Sequence, residues 1–215
     1  MKGSHRVSVQ PLRFTTDAAD DSEELARAEV YGLLAALYYA PPEAALYEQL
    51  RVAVTEAPAR GAFLESSWGE VVAAARRLPR DAVADEYAAL FGGLGKPEVF
   101  LYGSYYLAGA LNEKPLVALR DDLRELGLAR DEAMTETEDH VAYLCEAMRW
   151  LIAGDDLAVA NLAVQQRFFA THLRPWLPQV ADAIAAHPRA DFYRALAGFT
   201  LAFVDVETQG FDMLD

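Results

Sequence analysis

The chain has 215 residues, 53% of them apolar, and its 33 acidic residues against 19 basic ones give a formal net charge of -14. This charge argues against nucleic acid and anionic lipid as partners, because like charges repel, and it favours a basic peptide. The single cysteine, Cys145, excludes an internal disulfide and favours a reducing compartment such as the cytoplasm. No run of about 18 uncharged apolar residues is present, so we predict no membrane-spanning segment.

Helical periodicity dominates the sequence and predicts an all-α fold, a compact bundle of about ten helices with short loops. We expect residues 1–20 to be a disordered or tag-like N-terminus, residues 21–209 a single all-helical domain, and residues 210–215 a loose tail. The first helix begins near Asp21 and ends before Pro41. Apolar residues lie on nearly all sides of this helix, which indicates a central position in the bundle.

The middle of the chain alternates helical patterns with helix-breaking residues. A helix is predicted over residues 68–78 and ends at Pro79, and the next one carries apolar residues at helical spacing. A loop rich in glycine and proline follows at residues 92–97. Ser104 is then predicted to be the N-cap of a short helix in an aromatic-rich segment. Pro115 begins a further helix, which Gly127 ends.

The last third of the chain contains four predicted helices. Thr135 and Glu138 form a capping box, which predicts a helix from there to about Ala153. A second helix is predicted over residues 157–173, followed by a short helix towards Ala186. The final helix is predicted from an apolar stripe that runs from Phe192 to Val206.

A compact acidic cluster with one histidine precedes the first of these helices. Its members are Glu136, Glu138, Asp139 and His140. Such a cluster could hold a divalent ion, although adjacent residues of a helix point in different directions and do not easily share one ion. A helical metal-dependent hydrolase that uses Glu136, Asp139 and His140, with His172 as a further ligand, therefore remains the alternative hypothesis.

Tyrosines are concentrated in the segment after the glycine-rich loop. Tyr102, Tyr105 and Tyr106 cannot all face inward on one helix, and aromatic rings with polar tips suit surfaces that bind partners. Three acidic residues nearby, Asp85, Glu86 and Glu98, are expected to form a negative rim. The sequence therefore indicates a surface that binds a peptide with apolar and cationic side chains.

Three short motifs carry a resemblance to a known family. Tyr87, Leu90 and Phe91 resemble the aromatic-x-x-Leu-Phe signature of the TorD/DmsD/NarJ family of chaperones for molybdenum-containing redox enzymes. Residues 102–106 resemble its aromatic-x-Ser-x-aromatic segment, and residues 136–140 resemble its Glu-Pro-x-Asp-His motif. Thr137 stands where the family usually has proline.

The resemblance implies a cytoplasmic chaperone that is not an enzyme and has no cofactor, catalytic residue or metal. Its partner would be an immature molybdoenzyme catalytic subunit, bound through its twin-arginine signal peptide until the cofactor is inserted and before export. The chaperone would be a monomer or a helix-swapped homodimer.

By the same resemblance, nine residues are candidates for client binding. Tyr87, Leu90 and Phe91 would support a groove, Tyr102, Ser104 and Tyr106 would form its wall, and Glu136, Asp139 and His140 its polar end. We expect an open cleft edged by negative charge between the segments that contain Tyr87 and His140.

Overall fold

The computed structural model describes residues 21–55, 63–92, 96–131, 134–154, 156 and 158–214, so the predicted N-terminus, residues 1–20, lies outside the described residues. In this part the chain forms ten α-helices and one isolated β-bridge, which confirms the predicted all-α class. The helices are α1 (Asp21–Tyr39), α2 (Ala44–Val52), α3 (Glu65–Arg77), α4 (Arg80–Leu90), α5 (Gly103–Ala108), α6 (Lys114–Glu125), α7 (Val141–Ala153), α8 (Leu162–His172), α9 (Leu177–Ala186) and α10 (Phe192–Asp212).

The core is organised around α1 and α10, two helices that lie far apart in sequence. Helix α1 packs along α7, while α10, with 21 residues, packs against α3, α4 and α9. Helix α5 contacts α6 and α9, and α8 packs against α7. Within the described residues, none of the helices is long and apolar enough to cross a membrane.

Buried tyrosine hydroxyls connect α1 to α10. Tyr38 shares a hydrogen bond of 2.8 Å with the hydroxyl of Thr200, and Tyr193 donates to the backbone oxygen of Leu37 at 3.2 Å. Because a buried hydroxyl without a partner is costly, these bonds specify how the two helices lie against each other.

The start of α7 differs from the prediction. The capping box of Thr135 and Glu138 is wrong, because α7 begins at Val141 and His140 is its N-cap. The preceding residues instead pair with the segment before α5, where Tyr102 and His140 form the β-bridge. A tertiary contact therefore overrides the local capping signal, and only the end of this helix, at Ala153, is as predicted.

Two further boundaries differ from the prediction. Helix α8 begins at Leu162 and not at residue 157, because the side chain of Asn161 accepts the N–H of Val164 and caps it there. The expected loose tail from residue 210 is also wrong in its first part, since α10 continues to Asp212. Phe211 is 4% exposed and packs against the ring of Phe169, which holds this last turn in place.

Candidate functional site

The second and third motifs are neighbours in space. The N–H of Val141 donates to the oxygen of Leu101 at 2.8 Å, and the N–H of Gly103 donates to the oxygen of Asp139 at 2.9 Å. A Cβ atom at Gly103 would lie 3.0 Å from the ring of Trp176, so only glycine lets this segment pack so closely. The fold thus brings together candidates that are more than thirty positions apart.

Asp139 caps helix α5 from a distance. Its Oδ2 accepts the N–H of Ser104 at 2.8 Å, its Oδ1 accepts the hydroxyl of Thr137 at 2.6 Å, and the residue is 3% exposed. The prediction that Ser104 is the N-cap is wrong, since Tyr102 holds that position. The carboxylate of Asp139 supplies the acceptor that a capping serine would otherwise provide. Ser104 is buried, and its hydroxyl has no hydrogen-bond partner among the described residues.

Glu86 has the same role at the start of α10. Its carboxylate accepts three backbone N–H groups, from Asp191 at 2.8 Å, Phe192 at 3.0 Å and Tyr193 at 2.8 Å. These are donors that the first turn of a helix leaves unpaired. Glu86 is buried and does not belong to a negative rim, as the sequence had suggested.

The aromatic-x-x-Leu-Phe motif anchors α4 to the interior. Leu90 is completely buried, while the ring of Phe91 contacts those of Tyr38 and Tyr193 at centroid distances of 6.5 and 5.1 Å. The half-buried Tyr87 donates its hydroxyl to the backbone oxygen of Tyr39 at 2.7 Å. Burial raises the pKa of Tyr87 to about 12, so the hydroxyl stays protonated and remains a donor.

Tyr106 faces away from the polar end of the candidate site. Its hydroxyl donates to the backbone oxygen of Phe100 at 2.9 Å, and its ring stacks on Trp176 with centroids 5.9 Å apart. Tyr106 therefore packs α5 against the segment before α9. Tyr102, at the other end of the motif, lies beside His140.

We call the surface around His140 the tyrosine surface. Rings of Tyr102, Tyr39 and Tyr143 lie around that of His140, with centroid distances of 5.0, 6.5 and 6.1 Å. Tyr39 thus lies within the gap where a cleft between Tyr87 and His140 was expected. It is 38% exposed. The tyrosine surface consists of Tyr39, Tyr87, Tyr102, Glu136, His140 and Tyr143.

Tyr39 and Tyr143 were not candidates from the sequence. Tyr39 is the last residue of α1 and Tyr143 lies in the first turn of α7. Their rings have centroids 6.1 Å apart because α1 and α7 pack along each other. No motif in the sequence marks them, since only this long-range helix pairing brings them to the site.

The hydrogen bond made by His140 fixes its tautomer. Its Nδ1 accepts the N–H of Ala142 at 3.2 Å, so in the neutral ring the proton is on Nε2. Burial lowers the pKa of His140 to about 4, although the charges of Glu136 and Asp139 act in the opposite direction. His140 is therefore neutral at physiological pH and contributes no positive charge to the tyrosine surface.

Glu136 differs from the other acids of its motif. Its carboxylate accepts the hydroxyl of Tyr102 and that of Thr135, and no lysine or arginine of the described residues forms an ion pair with it. Arg130 donates to the backbone oxygen of Glu136 at 3.0 Å and to that of Met134 at 2.9 Å, and its Nε lies 4.0 Å from the carboxylate of Glu138. Glu138, in contrast, pairs with Arg120 at 2.8 Å. Burial, followed by the hydrogen bond from its hydroxyl to Glu136, raises the pKa of Tyr102 well above its usual value.

The acidic cluster is not arranged as a metal centre. Across the described residues, no three His, Cys, Asp or Glu side chains are grouped so that they could hold a metal ion. His172, the suggested further ligand, instead pairs with Asp122 through its Nε2 at 2.7 Å. The described residues therefore contain no set of ligands for the metal ion that the hydrolase hypothesis requires.

Comparison with known proteins places the chain in a family. Residues 57–182, more than half of the chain, match the family described as nitrate reductase delta subunit. The chain belongs to this family. It is the TorD/NarJ family, which the three motifs resemble, so the resemblance is confirmed.

Its curated relatives include proteins named Chaperone protein TorD. The one from Vibrio cholerae serotype O1 (strain O395) is 29% identical over 139 residues, 61% of this chain and 63% of the relative. That of Actinobacillus pleuropneumoniae serotype 3 is 29% identical over 127 residues, 59% and 62% of the two chains. That of Vibrio parahaemolyticus serotype O3:K6 is 25% identical over 134 residues, again 59% and 62%. The match thus spans less than two thirds of each relative.

Proposed function

We propose that this protein is a cytoplasmic maturation chaperone that binds the immature catalytic subunit of a molybdoenzyme through its twin-arginine signal peptide. It would hold the subunit until the cofactor is inserted and before export, and it would catalyse no reaction. Membership of the TorD/NarJ family and similarity to proteins named Chaperone protein TorD support this proposal.

The observation that carries the proposal is the carboxylate of Glu136. It is half-buried, lies beside Tyr102, and has no cationic partner among the described residues. A partly desolvated carboxylate of this kind gains most from a guanidinium group, which can donate two parallel hydrogen bonds to its oxygens. Glu136 is thus suited to bind one arginine of the pair.

The rings of the tyrosine surface complement this charge. A guanidinium plane stacks favourably on an aromatic face, and Tyr39, Tyr102 and Tyr143 surround the neutral ring of His140. The apolar faces of these rings can also contact the apolar segment that follows the arginines in such a peptide. His140 itself adds no positive charge that would oppose a cationic ligand, and the nearby Arg130 donates to the backbone oxygen of Glu136 and not to its carboxylate.

The overall charge supports the same partner. A net charge of -14 attracts a basic peptide over long range and accelerates its association at low salt. A disordered signal peptide loses conformational entropy when it docks, so we expect moderate affinity, which suits a chaperone that must later release its client.

The experiment is a titration of fluorescently labelled signal peptides, followed by anisotropy at low and high salt. A peptide with the Arg-Arg pair should bind at least about tenfold more tightly than one with Lys-Lys, because lysine cannot form the bidentate pair. Its affinity should also fall with salt. Equal binding of Arg-Arg, Lys-Lys and scrambled peptides would remove the proposal.

A further inference from the structure

A groove lies at the end of the molecule opposite the tyrosine surface. It has a volume of about 370 Å³ and is formed by the first turns of α1, the start of α8 and the last turns of α10. Along α1, Glu24 and Tyr39 are fifteen residues apart, which corresponds to roughly 22 Å of helix. A ligand in this end groove would therefore not overlap with one on the tyrosine surface. The end groove is lined by Glu23, Glu24, Arg27, Leu162, Glu207, Gly210, Phe211 and Leu214.

Among the described residues that line the end groove, the one cation is already neutralised. Arg27 donates from Nε and Nη2 to the two carboxylate oxygens of Glu207, at 2.7 and 2.9 Å, and from Nη1 to Gln165 at 3.1 Å. Its guanidinium also lies over the ring of Phe211, 5.2 Å from the centroid. Because every guanidinium nitrogen has a partner, Arg27 forms a fixed part of the floor and is not available to attract an anion.

The rim of the end groove carries uncompensated negative charge. Glu23 is exposed and forms no ion pair within the described part of the chain, and Glu24 lies 3.7 Å from an Arg27 nitrogen that already binds Gln165. The described lining residues include three carboxylates and one guanidinium, which together have a net charge of -2. This charge attracts cations and repels anionic partners.

Exposed leucines flank the same carboxylates. Leu162, at the start of α8, is 43% exposed, and Leu214, just after α10, is 53% exposed. Together with the buried Phe211 they line one concavity. Large apolar side chains that stay exposed around a concave, charged rim are typical of a surface that binds another polypeptide.

We propose that the end groove binds a basic amphipathic helix of a partner protein. Leucine-like side chains on one face of that helix would contact Leu162, Phe211 and Leu214, and lysine or arginine side chains beside them would reach Glu23 and Glu24. Helices bind in grooves through side chains spaced three and four residues apart, and flanking charges set their orientation. The site does not depend on the function proposed for the tyrosine surface.

The test uses two labelled model peptides of about 14 residues, each with leucines on one helical face, and with lysines or glutamates elsewhere. Anisotropy should show tight binding of the lysine peptide and none of the glutamate peptide. We expect Leu162→Ser and the double variant Glu23→Gln/Glu24→Gln each to weaken binding of the lysine peptide by about tenfold. Circular dichroism would confirm that both variants remain folded.

Matched controls separate the groove from general attraction to an acidic protein. Val117→Ser removes an apolar side chain on α6 that is 57% exposed, and Glu113→Gln/Glu125→Gln removes two exposed charges elsewhere. Neither should change the affinity by more than about twofold. Equal losses in the control and groove variants, or equal binding of the two peptides, would overturn the proposal. Glu136→Gln should leave the affinity for the lysine peptide unchanged. Failure of this proposal can therefore be distinguished from failure of the proposal for the tyrosine surface.

Discussion

Two carboxylates three positions apart in one motif, Glu136 and Asp139, have different surroundings in the folded chain. Asp139 is 3% exposed, and its oxygens are bonded to Ser104 and Thr137. Glu136 is half-buried, and among the described residues its carboxylate accepts hydrogen bonds only from the hydroxyl groups of Tyr102 and Thr135. The carboxylate of Asp139 completes a helix, whereas that of Glu136 forms no ion pair with the described residues. A motif that looks like one binding site in the sequence therefore combines a structural residue with the residue that we propose binds the client.

Glu86 and Tyr87, at the start of the aromatic-x-x-Leu-Phe motif, show the same contrast. Glu86 caps α10 from inside the protein, while the adjacent Tyr87 is half-buried at the edge of the tyrosine surface. In both motifs a buried carboxylate satisfies the N–H groups at the start of another helix. Substitutions can separate the two kinds of residue, because a cap affects stability and a surface group affects binding.

The largest effect is expected at Glu86. Glu86→Ala removes the acceptor of three buried or partly buried N–H groups, so we expect a loss of about 3 kcal/mol in the free energy of unfolding. Glu86→Gln, which keeps one acceptor oxygen, should lose less. Urea unfolding measures both variants, with Asp85→Ala on the exposed side of the same helix as the control. A loss in Glu86→Ala no larger than in Asp85→Ala would contradict the capping role.

Asp139 should behave in the same way with a smaller effect. Asp139→Ala leaves the N–H of Ser104 without its acceptor, and we expect a loss of about 2 kcal/mol. Asp139→Asn should be milder, because its amide oxygen can still accept that N–H. Thermal unfolding, compared with Glu138→Ala, measures the difference. If Asp139→Ala is as stable as the wild type, the contrast with Glu136 fails.

The neutral state of His140 predicts a dependence of stability on pH. Its pKa is about 4 in the folded protein and about 6.5 when unfolded, so protons bind the unfolded chain first as the pH falls. The free energy of unfolding therefore decreases as the pH falls below about 6.5. His140 accounts for a decrease of about 1 kcal/mol between about pH 7.5 and about pH 5.5. His140→Asn keeps a capping acceptor and should remove that part of the loss.

Urea unfolding of the wild type and His140→Asn at both pH values checks this prediction. The lowered pKa of His172, caused mainly by burial, acts in the same direction but is present in both proteins, so it cancels in the comparison. Identical losses in wild type and variant would show that His140 does not carry the effect.

The fold could be predicted to a large extent, and the site only in part. Apolar periodicity and proline positions indicate the helices, because burial of one helix face leaves a local pattern. The groups that cap α5 and α10 are not local in this sense. They are the carboxylates of Asp139 and Glu86, which lie far along the chain from the helices that they complete.

The same limit applies to the tyrosine surface. Tyr102 and Glu136 could be proposed from motifs, whereas Tyr39 and Tyr143 join them only through the pairing of α1 with α7. Nor does the sequence distinguish Glu136 from Glu138, since only the fold places Arg120 beside Glu138. Long-range packing thus decides which of several acidic residues keeps a free carboxylate.

The most direct test measures binding of the Arg-Arg signal peptide to Glu136→Gln and, as the matched control, to Glu138→Gln, with unfolding of both followed in parallel. We expect Glu136→Gln to lower the affinity by about tenfold, or about 1.4 kcal/mol, and to change the stability by less than about 0.5 kcal/mol. Glu138→Gln, whose carboxylate is already paired with Arg120, should leave the affinity within about twofold. Unchanged affinity in Glu136→Gln would contradict the claim that its carboxylate binds one arginine of the pair.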